Sequence, residues 1–184
     1  MNVNKEEKPL KKVCFICAKG AIEDVLATLV MANGAVMEGI EAKVFFTFFG
    51  LDAITKKQMN KLHTATVGNP AMRMPGGLPF PTLLGILPGV EAGVSAMMKK
   101  GMDKLDIPPV DEFLEMIVAG GGEIYACKMA MDMFKLNKDD LWEEVADVLP
   151  VETYSFRDFN ANQRYLEVRD SVYIYMISVQ DYKP

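Results

Sequence analysis

The chain of 184 residues has one histidine and three cysteines, and each scarcity excludes something. A structural zinc site needs four nitrogen, sulfur or oxygen ligands. Beyond Cys14, Cys17 and the distant Cys127, His63 is the one further soft ligand, so no metal site is expected. An odd number of cysteines would strand a thiol in a secreted chain. Free thiols in a reducing, cytoplasmic setting are the simpler reading. Basic clusters are missing too. The net charge is -5, and no basic block exceeds a pair such as Lys11-Lys12, so neither nucleic acid nor an anionic membrane surface is an expected partner. Long hydrophobic runs are also absent. The most apolar stretch, Leu78 to Met98, is broken by Pro79, Pro81 and Pro88 and carries Glu91, whereas a spanning helix needs roughly 20 uninterrupted apolar residues. Membrane association is therefore not expected. No G-x-x-x-x-G-K-[ST] occurs, and no G-x-G-x-x-G follows the first strand, so the device that cradles phosphates is lacking and no cofactor is called for.

What is present reads as one α/β domain over residues 11–184, with a solvated lead-in at 1–10 that has no apolar run and so does not resemble a secretory signal. Half of the residues are apolar, enough for a single good core. Val13–Cys17 is a continuous apolar run suited to a strand buried on both faces. Residues 21–38 carry Ile22, Val25, Leu26, Leu29, Val30, Ala32 and Val36 at helical spacing, with Glu23 and Asp24 in the first turn. Ala42 to Phe49 reads as a second strand, and 52–62 as a helix. Further helices are expected at 90–104, 110–119, 129–134, 138–145 and 153–166. Further strands are expected at 123–127, 148–151 and 172–177. The sum is an open, mostly parallel five-stranded sheet with helices on both faces, flavodoxin-like in outline. Between them, residues 63–90 form an apolar Pro- and Gly-rich insertion. It is too apolar to be left in water and too proline-broken to be one helix, so a lid or an oligomer contact is expected there.

In open α/β sheets, ligands bind beyond the carboxyl ends of the strands. Cys17 closes the first strand and Cys127 the third, each just before a helix whose dipole favours a thiolate. Lys19 and Lys128 could add positive charge, and Asp132 could tune the thiol or be merely solvated. A free cysteine is equally at home as a small buried hydrophobe. Cys14-Phe15-Ile16-Cys17 is formally a C-x-x-C, but on a strand residues three apart point to opposite faces, so Cys14 belongs to the core and no disulfide with Cys17 is expected. His63 reads as a surface residue, and the fourteen methionines as adaptable core packing. If the first and third strands are neighbours, as in flavodoxin-like sheets, Cys17 and Cys127 share an edge and could exchange sulfur.

Two segments, "FFTFFGL" at Phe45–Leu51 and "IYACKMAMDMF" at Ile124–Phe134, together with the opening strand-helix unit, give residues 11–149 a resemblance to the DsrE/DsrF-like proteins, in the larger branch labelled peroxiredoxin-like. The resemblance implies a homo-oligomeric sulfur carrier or sulfurtransferase. In it, Cys127 would hold sulfane sulfur as a persulfide, and Cys17 would correspond less securely to a further cysteine of some relatives. The partners implied are sulfur donor and acceptor proteins or low-molecular-weight persulfides, and the apolar stretch at 78–90 would be a candidate interface. Ala126-Cys127-Lys128 lacks the Thr/Pro loop and the Arg of a peroxidatic site, so peroxidase chemistry is not implied. The competing reading is a non-enzymatic binding or scaffold module that uses the 63–90 segment, with all three cysteines incidental. Nucleotide or flavin binding would rest on fold analogy alone.

Overall fold

Four of the apolar runs become a parallel sheet in the computed structural model, which describes residues 12–66, 87 and 89–150 together with the backbone of 163–168 and 172–177. β1 (Lys12–Cys17), β2 (Glu41–Phe46), β3 (Glu123–Cys127) and β4 (Asp147–Leu149) lie side by side and parallel. Two more strands, β5 (Gln163–Val168) and β6 (Val172–Ile177), extend the sheet beyond β1 as an antiparallel pair. The full order is β4-β3-β2-β1-β6-β5. The expected five-stranded sheet is thus a six-stranded mixed one with a four-stranded parallel part.

The strand order corrects the flavodoxin-like expectation. Successive parallel strands step in one direction across the sheet, so right-handed crossovers deliver their helices to one face. Helix α1 (Ile22–Met37) follows β1, and α3 (Val110–Ala119) precedes β3. The two pack on each other. Val25, Leu29, Ala32, Phe113, Leu114 and Ile117 form the helical side of the core, over Phe15, Val44, Phe46 and Ile124 of the sheet. Helix α2 (Val90–Asp103) lies apart from this layer. Its Ser95 hydroxyl accepts from the Thr64 backbone N–H at 2.9 Å. Helix α4 (Lys128–Phe134) starts directly at the end of β3.

The second face of the sheet is read from the register. Lys12 pairs with Glu41, and Lys43 with Glu123. Their side chains meet as ion pairs at 2.9 and 3.1 Å, and the Tyr125 hydroxyl donates to Glu123 at 2.9 Å. Alternation along the strands then assigns Cys14, Phe45 and Cys127 to this same face, and all three are buried.

Three helical expectations are overturned. Residues 52–62 hold the end of one 3-10 segment, η1 (Phe48–Ile54), which also takes Phe48 and Phe49 from the expected second strand, and a second segment, η2 (Met59–Lys61). Thr55 interrupts them: its backbone is extended and bridges to Leu141, while its hydroxyl donates to the Leu51 carbonyl at 2.7 Å. Residues 138–145 hold only a 3-10 turn at Lys138–Asp140, capped reciprocally by Asn137 and Asp140. Residues 163–166, expected at the end of a helix, lie in the strand β5. An open edge at β6 offers a full row of ladder hydrogen bonds, and that pairing outweighs local preference. The expected lid at 63–90 falls mostly outside the described residues, as do the lead-in at 1–10 and the start of the expected 153–166 helix.

Candidate functional site

The two cysteines picked out at strand ends are placed there, at the carboxyl ends of β1 and β3. They are not brought together. The last paired residues run Cys17, Phe46, Ala126 across three strands, so Cys17 shares a face with Ala126 and Cys127 points the other way. An intervening strand at about 4.8 Å spacing sets their backbones roughly 10 Å apart, beyond the ~7 Å that a bridge allows. The expected juxtaposition of first and third strands is thereby corrected. Cys14, Cys17 and Cys127 are all free thiols, and Cys14 and Cys17 lie on opposite faces, as parity on a strand requires.

Cys17 sits under α1 and is 1% exposed. Burial pushes its thiol up to about 12, the Thr28 side chain offsets part of this through a hydrogen bond, and Asp24 adds to the rise. Its Sγ also donates weakly to the Lys19 carbonyl at 3.5 Å. Such a thiol stays protonated near neutral pH. The sequence signals Thr28 only as a polar residue amid Val25, Leu29 and Ala32 on the apolar face of a helix.

Cys127 is the last residue of β3 and the N-cap position of α4, and it is 0% exposed. Lys128, expected to add positive charge, is paired with Asp132 one turn along α4 on the exposed side. Asp132 therefore answers Lys128. Around this corner the chain is unusually constrained. β2 runs through Thr47 into η1, and the Thr47 N–H donates to the Cys17 carbonyl at 2.9 Å. Phe48 holds φ 45°, a left-handed conformation costly for a bulky side chain. Gly50 follows because nothing larger fits: a Cβ there would lie 2.2 Å from the Cys17 carbonyl oxygen. The rings of Phe49 on η1 and Phe134 on α4 meet at 5.6 Å, tilted by 40°. These aromatic residues lie inside the two motifs read from the sequence, but their pairing is visible only in three dimensions.

Two cavities are lined by described residues. One of about 380 Å³ lies beyond the end of β1, lined by Lys19, Phe49, Asp52, Lys61, His63 and Glu91 among others. Burial raises the carboxyl of Asp52 there. His63 is half exposed and 3.9 Å from the Glu91 carboxylate, a surface placement. The other, about 240 Å³, lies between α1, α2 and α3 over Ile22, Met59, Met102 and Val110. Neither is lined by a cysteine. No group of three metal-ligating side chains occurs among the described residues, and no helix there is long and apolar enough to cross a membrane.

The profile of the DsrE/DsrF/DrsH-like family matches residues 9–164. The chain belongs to this family. It is 34% identical over 137 residues to the sulfur carrier protein DsrE2 of Allochromatium vinosum, covering 73% of this chain and 85% of that protein. It is also 25% identical over 137 residues to the uncharacterised protein YrkE of Bacillus subtilis, covering 73% and 84% respectively. Within this DsrE/DsrF-like chain, the strand-end cysteines and the aromatic corner are the features with chemical potential.

Proposed function

We propose that this protein is a sulfur carrier that holds sulfane sulfur as a persulfide on Cys127 and passes it to a thiol partner. The observation that carries the reading is the placement of Cys127 at the carboxyl end of β3, where α/β sheets work, in a chain 34% identical to a sulfur carrier protein. Cys17 serves the proposal less well, since it is buried on the other face with its thiol held protonated.

The chemistry balances without a cofactor. The Cys127 thiolate attacks the outer sulfur of a donor persulfide. A new S–S bond forms, the donor's S–S bond breaks, and the donor leaves as a thiolate. In delivery, an acceptor thiolate attacks the terminal sulfur and Cys127 leaves as a thiolate. No net oxidation occurs, and three free cysteines suit a reducing compartment. Donor and acceptor are thus proteins with reactive thiols or low-molecular-weight persulfides.

The test is intact-mass measurement after exposure to a sulfane-sulfur donor. Wild type is expected to gain the mass of one sulfur atom, Cys17→Ala to gain it equally, and Cys127→Ser to gain none. A wild-type protein that never gains sulfur, or a Cys127→Ser variant that gains it as readily, overturns the proposal.

A further inference from the structure

Thr47 is the one polar side chain between Phe45 and Leu51, and it is only 8% exposed. A buried hydroxyl ordinarily has a partner. That of Thr47 caps no helix and forms no hydrogen bond among the described residues. We propose that the Thr47 hydroxyl is the hydrogen-bond donor to the sulfur of Cys127 when that sulfur is a thiolate. Its purpose rests on the sulfur-carrier reading above; its geometry rests on the strand register.

Phe45 pairs with Tyr125 and Phe46 with Ala126, so Thr47, one step on, is level with Cys127. Both residues have extended backbone, at φ -136°, ψ 163° and at φ -78°, ψ 117°. Alternation therefore continues through them. Phe46 and Ala126 are on the face that α1 and α3 cover, and Thr47 and Cys127 share the other face. Neighbouring strands lie about 4.8 Å apart. On one level and one face, a threonine hydroxyl reaches the adjacent sulfur by its χ1 rotamer, with no backbone movement. The backbone of Thr47 is itself fixed: its N–H donates to the Cys17 carbonyl at 2.9 Å, and its carbonyl accepts from the Gly50 N–H at 3.0 Å. Phe48 then turns away at φ 45°, a costly conformation that ends the extended run at Thr47. The ionisable groups on this face of β2, β3 and β4 are engaged elsewhere. Glu41 pairs with Lys12 at 2.9 Å and Lys43 with Glu123 at 3.1 Å, Tyr125 donates to Glu123 at 2.9 Å, and Asp147 accepts from the Val148 N–H at 2.8 Å. Lys128, which opens α4, pairs with Asp132. A neutral thiol is a weak acceptor and a thiolate a strong one. The bond therefore forms when Cys127 gives its proton to solvent, and again when Cys127 leaves as a thiolate during delivery. Thr47 keeps its own proton throughout.

The experiment is the rate of iodoacetamide alkylation of each cysteine in the full chain at neutral pH, resolved by peptide mass spectrometry. The thiolate is the reacting form. A hydrogen bond to a charged group changes its population roughly tenfold or more. A better stabilised thiolate is also a weaker nucleophile, which returns about half of that on a logarithmic scale. Thr47→Val keeps the branched shape without the hydroxyl and should slow Cys127 roughly three- to tenfold. Thr47→Ala, a second variant without the hydroxyl, should slow it likewise. Thr47→Ser should stay within about twofold of wild type, and Cys14 and Cys17 should react as before. Cys127 rates in Thr47→Val and Thr47→Ala within about twofold of wild type, or faster, would overturn the proposal. So would a Thr47→Ser variant as slow as Thr47→Val, an equal slowing of all three cysteines, or a Cys127 that reacts in no native protein. Alkylation needs no sulfur. A protein that shows these rates yet never loads sulfur keeps the Thr47 bond and loses the carrier reading; one that loads Cys127 but shows equal rates does the reverse.

Discussion

Raising the pH should unfold this protein partly through Cys17. In the folded chain burial holds its thiol at about 12, against an ordinary 9.0. Below 9.0 the thiol is protonated in both states and the folded state has its full stability. Above 9.0 the unfolded chain releases the proton while the folded chain keeps it, so the unfolded state gains and stability falls until the pH passes about 12. The gap is roughly a thousandfold in proton affinity, and at about 1.4 kcal/mol per tenfold it amounts to about 4 kcal/mol. At about pH 11 some two-thirds of that loss should be realised, about 2.7 kcal/mol. That is a large share of a net stability of ~5–15 kcal/mol. The assay is urea unfolding of wild type and Cys17→Ala at about pH 8 and about pH 11. The variant carries a constant cost for the lost sulfur, but it lacks the titration. Every other titratable group is common to both proteins, so the difference in pH dependence isolates Cys17. Wild type should lose about 2–3 kcal/mol more than Cys17→Ala between the two pH values. Equal losses would refute the burial argument.

Two further outcomes follow from single contacts. Gly50→Ala forces a Cβ onto the Cys17 carbonyl oxygen at 2.2 Å; backbone must shift, at a cost of about 3 kcal/mol, which should lower Tm by roughly 6–12 °C, and a Tm within about 2 °C of wild type would show that η1 is not wedged there. Glu123 is the other case: burial raises its carboxyl, but hydrogen bonds from Lys43 and Tyr125 outweigh that and hold it below its ordinary 4.5. The stability it contributes is present above 4.5 and is lost as pH falls through the lower folded value. Lys43→Met should raise the Glu123 titration seen by NMR and make the acid-side loss of stability shallower; an unmoved titration would mean that Lys43 does not govern it.

Much of the layout was legible in the amino-acid order because burial on two faces leaves a plain mark. Val13–Cys17, Glu123–Cys127 and Val172–Ile177 read as strands from their apolar or β-branched runs, and Val110–Ala119 as a helix from its spacing and its opening prolines. The strand-end position of Cys127 followed from those boundaries. The stretches read as helix but folded otherwise lie where distant partners intervene. Thr55 is drawn into a bridge with Leu141, more than eighty residues away, and so splits the expected helix. Gln163–Val168 is taken up as a strand because β6 offers an edge to pair with.

The site divides in the same way. That Cys14 and Cys17 face apart is a period-two property of a strand, and the sequence by itself determines it. Whether Cys17 and Cys127 are neighbours depends on strand order, which no local pattern encodes. Only the tertiary structure places β2 between them. The same holds for the ionisation of Cys17, set by a helix packed over it, and for the corner where Phe49 meets Phe134 across 85 residues of chain. Hydrophobic periodicity reports which side of an element is buried. It does not report against what, and at the end of β1 the partner decides how firmly the Cys17 thiol holds its proton.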